Sequence, residues 1–526
     1  MFNNLIYFIK NNRKIIQKVS KKNYSTLLID RGSFYPAFIA SIYSSVLNKK
    51  YKHNIITLIN DPNNKLIKSF YKSFGYNKII SSSFDLRNIL IYLNVVYQSI
   101  LIFFKINLKG MDWFINNFKF CNIDIGDIIY DTYIRYNNRY LNPKVDINFI
   151  KILASTLHKV YFIKQIIKNY KVRTIIINQD VYASNGAIAL RLGNSLNARV
   201  IEPCTDLKND HFFFDYNKYK VKFGPYNFYY RFLYKKKNCI KDLKISEKKL
   251  NKFLIDRYQG KIRLAYTGKA DLFSANKKKN LYSRKKLLKH FNIEKDNEIN
   301  KIVVLACHSF SDAPHGQGKN IIFKDYYEQV KETLLFLEKN SKKNILWIIR
   351  PHPAAERYGE QGIVEGLYKK TIKQKKNLIK ISPKNLDTKN LIQFCDFVIT
   401  MKGTIGLEFA SEGKHTLCCS DSPYSKLGIS LEVNNKKEYF KIINKIHKFP
   451  KKISTYKKNR AKKILYILEK SIPENHIIDS KIFTKKILKS RYQNKNLSFF
   501  NKELLKKLKT NKIDKDSFYN DLYKRI

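Results

Sequence analysis

Short apolar runs, each closed by a turn residue and followed by helical spacing, recur in two series along this chain. The first opens at Thr26–Ile29, a β-rich run stopped by Asp30-Arg31-Gly32. Phe34–Leu47 carries the three-and-four spacing of a helix, and Asn54–Ile59 predicts the next strand. Val172–Asn178 is apolar without alternation, the pattern of a strand buried on both faces. Ser184 and Asn185 stand where a helix Gly186–Ser195 needs its cap, and Arg199–Glu202 predicts a further strand. Strand–helix–strand units of this kind build parallel sheets. Between the two units, residues 85–165 predict an irregular helical stretch.

The second series begins at Lys301–Cys307 and continues with a helix over Tyr326–Leu337. Strands are predicted at Asn344–Ile349, Leu378–Ile381, Asp396–Thr400 and His415–Cys418, with a short helix at Leu391–Phe394 and a loop turning into a helix over Gly403–Glu412. The Lys-rich stretch between the two series has few apolar runs and predicts linking helices. The expected division is therefore 1–239 as a first Rossmann-like domain, 240–300 as a helical linker, 301–435 as a second Rossmann-like domain and 436–526 as a basic helical tail. This is an α/β fold of two Rossmann-like domains facing a cleft, the GT-B arrangement, with ligands expected at the carboxyl ends of the strands.

Composition adds two points. With 526 residues the chain is long enough for two full cores, and 44% hydrophobic residues exclude a disordered chain. The formal charge of +59 has two readings. One is attraction to an anionic surface, and the other is drift toward Lys, Asn, Ile and Tyr, as an AT-rich genome would produce. The basic residues are spread along the whole chain, which favours a membrane surface over nucleic acid as the anionic partner. Seven cysteines without a CxxC pair point to a reducing compartment and provide no zinc framework. The first residues lack the pattern of a signal peptide. The apolar run Ile89–Phe104 falls short of the roughly 20 residues of a spanning helix, and it is read as a buried or interfacial helix. The expected location is cytoplasmic, with peripheral association at the inner face of the cytoplasmic membrane.

Candidate chemistry collects in three loops of the second series, each directly after a strand. Arg350-Pro351-His352-Pro353 places an imidazole at a sheet edge, where it can donate to a phosphate oxygen and take up charge near neutral pH. Met401-Lys402-Gly403-Thr404-Ile405-Gly406-Leu407-Glu408 opens a helix. Small residues there admit phosphate to backbone N–H groups, Thr404 adds a hydroxyl, and Glu408 can accept from ribose hydroxyls. His308, Ser309, Asp312 and His315 crowd the loop after the first strand. A metal set of His308, Asp312 and His315 lacks further ligands, so phosphate binding without a cation is the better fit.

Together, the runs HSFSDAPH, FKDYYE, IRPHP and MKGTIGLEFASEGK resemble bacterial capsule polysaccharide biosynthesis proteins. These are similar to the Kdo- and sialyl-transferring GT-B enzymes. The clear likeness covers residues 301–428, and a weaker one covers Gly126–Asp131 with Arg135 and Asp180–Arg191. The resemblance implies metal-independent transfer of a sugar from a nucleotide donor, with a CMP-sugar favoured and no further cofactor. It implies phosphate contact by His352 and Thr404. The serine common in that family is replaced by Gly403, and the acidic-acidic-Gly acceptor motif is only approached by Asp30-Arg31-Gly32.

An inverting transferase needs a carboxylate to take the acceptor's proton. Position after a strand of the first domain ranks Asp180 first, followed by Asp131, Asp30 and Asp127. Tyr182, Asn185 and Arg191 are candidates for holding a glycan or glycolipid acceptor. Two other readings stand beside this one. Polyol-phosphate transfer of the teichoic-acid type would use a segment loosely echoed in Asp421–Ser425. The other is a non-enzymatic polysaccharide or nucleic-acid binding protein, for which no nucleic-acid recognition motif is present.

Overall fold

The computed structural model describes residues 2–12, 23–32, 34–76, 78–81, 89–136, 139–141, 145–178, 181–203, 213–217, 245–258, 283–293, 299–316, 321–342, 344–373, 378–383, 386, 388–422, 424–470, 520, 522–524 and 526. The chain forms two compact units. Unit 1 comprises 1–133, 145–226 and 471–526, and unit 2 comprises 134–144 and 227–470.

Unit 1 is built on strands β1 (Ser25–Ile29), β2 (Asn54–Ile59), β3 (Lys78–Ser81), β6 (Val172–Ile176), β7 (Arg199–Pro203) and β8 (Phe213–Asp215). A small antiparallel pair, β4 (Lys119–Phe120) and β5 (Ile123–Asp124), lies outside the sheet. The sheet order is β3-β2-β1-β6-β7-β8, parallel except for the β7–β8 edge. This is the doubly wound order, with its switch point between β1 and β6. The unalternating β1 is buried at every position because helices cover both faces. One face packs Leu28, Ile176 and Ile201 against Phe38, Ile42 and Val46 of the helix Phe34–Tyr51. The N-terminal helix Phe2–Asn12 contributes Leu5 and Phe8 to the same core, and Leu522 and Ile526 join it.

The irregular region between the two halves of the sheet is helical, as its spacing predicts. It contains Ile89–Lys109, Met111–Asn117, Gly126–Arg135 and Ile147–Asn169. The apolar run at Ile89 is longer as a helix than as a sequence pattern. It continues to Lys109 and, at 21 residues, is long and apolar enough to cross a membrane. Asn94, Gln98 and Lys105 do not stop it, because isolated polar residues break no backbone hydrogen bond.

Unit 2 repeats the architecture with β9 (Lys301–Ala306), β10 (Ile345–Arg350), β11 (Ile379–Ile381), β12 (Phe397–Thr400), β13 (His415–Cys418) and β14 (Leu431–Glu432). The order is β11-β10-β9-β12-β13-β14, parallel throughout, so the switch point lies between β9 and β12. The helices expected as a linker belong to this unit. Leu287 and Leu288 of Arg284–His290 enter the core beside Ile302, Val304 and Phe409. The helix Glu247–Tyr258 packs on Thr455–Lys470, where Lys462 donates to Asn251 at 2.8 Å. Residues 436–470 are likewise part of unit 2, since Thr455–Lys470 packs on the helix Ile405–Ser411.

Candidate functional site

The parallel sheet of unit 2 sends its three suspected loops to one edge because all the strands end there. Cys307 follows β9, Pro351 follows β10 and Met401 follows β12. His308 and Gly403 thus flank the β9–β12 switch point. A Cβ built on Gly403 would stand 3.9 Å from His308 Nε2 and 2.9 Å from Thr400 Oγ1. The His308 ring is sandwiched, with Tyr326 at 4.5 Å and 22° and His352 at 5.9 Å and 17°. Neither ring nitrogen of His308 has a hydrogen-bond partner, and both are buried. Burial and the neighbouring His352 push its pKa down to about 3, with Asp312 opposing and Lys402 reinforcing the shift. His308 is therefore a neutral imidazole holding an unmet donor and an unmet acceptor at the carboxyl edge of the sheet.

His352 is oriented differently. Its Nδ1 accepts from the Ala354 N–H at 3.2 Å, which places the proton of the neutral ring on Nε2. Pro353 beside it is exposed, and Gly403 and Thr404 are partly exposed. The Gly403 loop is braced from beneath. Thr400 Oγ1 accepts from Gly403 N at 3.2 Å, and Tyr424 donates to the Gly403 carbonyl at 2.7 Å.

Several residues expected at the ligand turn inward. The Ser309 hydroxyl and the Phe310 and Ser311 N–H groups all donate to Glu360, at 2.8–3.0 Å. That carboxylate, which sequence reasoning missed, occupies the donors that Ser309 would have offered to phosphate. Asp312 accepts from the Ala313 N–H at 3.0 Å, and His315 is buried. Lys402 is also buried, with Nζ 3.1 Å from the Pro314 carbonyl, and it clamps the loop over the Tyr326 ring. Arg350 donates to the Leu386 carbonyl and to Thr388 Oγ1, tying down the helix Thr388–Phe394. Glu408 is buried against Arg257 at 2.5 Å, so its carboxylate is neutralised within the protein and not presented to a ribose. Gly406 is small for packing, since an added Cβ would meet Tyr424 Oη at 2.2 Å. Among the described residues, no group of three or more His, Cys, Asp and Glu side chains converges as a metal site. Asp421, Ser422 and Ser425 are buried, and the two serine hydroxyls bond to each other at 2.9 Å. The echo of a polyol-phosphate motif is therefore a folded turn.

Two further residues frame the edge: Arg135, part of the weaker likeness in the sequence, and Tyr140, which carried no sequence signal. Arg135 lies 4.7 Å over the Tyr358 ring and donates to the Ser311 carbonyl. Tyr140 packs on Phe310 and Tyr327.

Unit 1 has its own site at its own switch point. A cavity of about 260 Å³ is lined by Asp30 and Arg31 after β1, Asn60 after β2, Asn178 after β6, and Ser184–Gly186, with Lys159 alongside. Asp30 is buried, accepting from Tyr71 at 2.7 Å and from the Gly32 N–H at 2.8 Å. Burial raises its pKa from the ordinary carboxylate value despite those hydrogen bonds. Ser184 caps the helix Asn185–Ser195 through Ala187 N, as its position predicts. Asn185 donates to Asn60 at 2.8 Å, while the side-chain carbonyls of Asn185 and Asn178 are buried without partners. Lys159 is held by the Ala183 carbonyl at 3.1 Å.

The other base candidates fare differently. Asp127 is locked in a buried ion pair with Arg191 at 2.7 Å, which also removes Arg191 as an acceptor contact. Asp131 is fully buried. Asp180, ranked first from sequence, lies outside the described residues. Tyr182 is held with φ of 58°, one residue before the Ala183 N–H that donates to Thr132.

No protein-family model and no curated protein matches the chain. Similar solved structures include the UDP-GlcNAc 2-epimerase of Neisseria meningitidis bound to UDP-GlcNAc, at 11% identity, covering 89% of this chain and 99% of that one, TM-score 0.25. HepE of Anabaena in complex with UDP and glucose is 10% identical over 89% of this chain and 99% of that one, TM-score 0.27. KpsC of Thermosulfurimonas dismutans, a beta Kdo 2,4 transferase, is 12% identical over 56% of this chain and 80% of that one, TM-score 0.28. The fold assignment rests on the strand orders themselves.

Proposed function

We propose that the chain is a GT-B glycosyltransferase that moves a sugar from a nucleotide donor, a CMP-sugar by preference, to a growing surface polysaccharide or lipid-linked acceptor. The observation that carries this reading is the edge of unit 2. Two stacked imidazoles, one with both nitrogens unmet, stand beside a glycine at the switch point of a doubly wound sheet. Paired imidazole donors suit a leaving phosphate, on which charge grows as the sugar–oxygen bond breaks.

In this reading, His352 Nε2–H and His308 hydrogen-bond the phosphate of the departing nucleotide, and Thr404 contacts the same group. The unit 1 cavity is the proposed acceptor site, with Asp30 as the carboxylate that takes up the acceptor hydroxyl's proton. A carboxyl whose pKa is raised by burial holds that proton more readily. Asp30 is put forward as that carboxyl because it lines a cavity furnished with amide groups suited to sugar hydroxyls. The reaction as proposed uses no metal or further cofactor, and it takes place on the cytoplasmic side of the membrane.

His352→Ala should abolish sugar transfer, followed as nucleotide release, while its melting temperature stays near that of the wild type. Full activity in that variant would sink the role. A melting screen against CMP, UDP, GDP and CDP should show a rise with the donor's nucleotide, about 3 kcal/mol of stabilisation at a hundred times Kd.

A further inference from the structure

The helix Ile89–Lys109 is apolar on two faces. Val95, Ser99, Ile102 and Ile106 are buried, and the helix packs on Ile147–Asn169. The other face carries Leu90, Leu93, Tyr97, Ile100, Phe104 and Leu108, which are 47–86% exposed. Their spacing of three and four residues makes one continuous stripe along five turns of helix. Soluble surfaces scatter such residues singly, and a stripe of this size marks an interaction surface.

Charge selects the partner. From Leu86 to Met111 the sequence has no Asp or Glu, while Lys105 and Lys109 lie on the helix itself. Lys109 sits 5.2 Å over the Trp113 ring, and Lys119 beyond it, 67% exposed, lies 3.9 Å from Asp124. Trp and Tyr beside an apolar face favour the boundary between headgroups and acyl chains. The whole chain carries a formal +59, which repels a second copy and attracts an anionic bilayer.

We propose that the Leu90–Leu108 stripe docks in the plane of an anionic lipid bilayer. Leu93, Tyr97, Ile100 and Phe104 enter the headgroup–acyl boundary, and Lys105 and Lys109 meet lipid phosphates. This deepens the membrane part of the proposed function and rests on that reading only for the purpose of the docking. The buried face stays on Ile147–Asn169, so the helix lies on the bilayer and does not cross it.

The test is co-sedimentation of the full chain with vesicles of phosphatidylcholine alone and of phosphatidylcholine with phosphatidylglycerol. Wild type should bind the anionic vesicles about tenfold or more tightly than the neutral ones. Leu93→Glu/Phe104→Glu should lose about tenfold or more of that affinity, with an unchanged melting temperature and an unchanged melting shift on adding CMP or UDP. Leu90→Gln/Leu108→Gln, at the exposed helix ends, provides a milder pair showing the same direction if the first variant folds poorly. Equal vesicle binding by wild type and both variants would overturn the proposal. So would retention on membranes through an alkaline carbonate wash, which marks a spanning helix. A wild-type dimer dispersed by the same substitutions, with vesicle binding unchanged, would assign the stripe to a second copy. Absence of any nucleotide shift would count against the transferase reading and leave the docking result standing.

Discussion

His308 shows how much one buried ring can decide. A neutral imidazole with both nitrogens buried and unmet costs the folded state stability. It also makes the fold sensitive to acid. The folded value is about 3 against an ordinary 6.5, so between those values the unfolded chain holds a proton that the folded chain does not. Stability from this residue is therefore complete above pH 6.5 and is lost as pH falls toward 3. Melting curves of wild type and His308→Gln between pH 7 and pH 5 should diverge, with the variant falling less. Parallel curves would mean that the ring protonates freely in the folded state. His158 and His415 share the direction of shift, so the difference between the two proteins is the informative quantity.

Among the elements, the short helix Ile405–Ser411 and its glycines separate packing from binding. Gly406 lies under Tyr424, whose hydroxyl braces the Gly403 carbonyl. Gly406→Ala would drive a methyl into Tyr424 and Thr416, and about 1–3 kcal/mol of destabilisation is expected. Gly366, inside the helix Ile363–Thr371, meets nothing within 4 Å. Gly366→Ala should raise stability by about 0.5–1 kcal/mol, since only backbone entropy changes. Denaturant midpoints of the two variants should move in opposite directions. A shared direction would show that the packing around Gly406 relaxes around the added methyl.

Over the whole molecule, the formal charge of +59 makes self-repulsion a general tax on the folded state. Raising salt from ~0.01 to ~0.15 M shortens the screening length from about 30 to about 8 Å. The melting temperature should rise over that range, and a fall would show that local ion pairs outweigh the net repulsion. The division between what was legible and what was not follows from range. Apolar periodicity is local, so the two βα series, most strands of both sheets, the Ser184 cap and the placement of His308, His352 and Gly403 at strand ends were readable from the chain. The strands β3, β8 and β14 were not, because short edge strands carry little apolar signal. Which side chains turn inward is a long-range matter. Glu360 reaches a loop some fifty residues away, and Arg257 pairs with Glu408 across 151 residues. No spacing rule encodes such meetings, so Ser309 and Glu408 read as ligand contacts until tertiary packing claimed them. The stripe on Ile89–Lys109 is the converse case. The sequence by itself determined an apolar helix, and only the packing of one face on Ile147–Asn169 decided which residues remained outside.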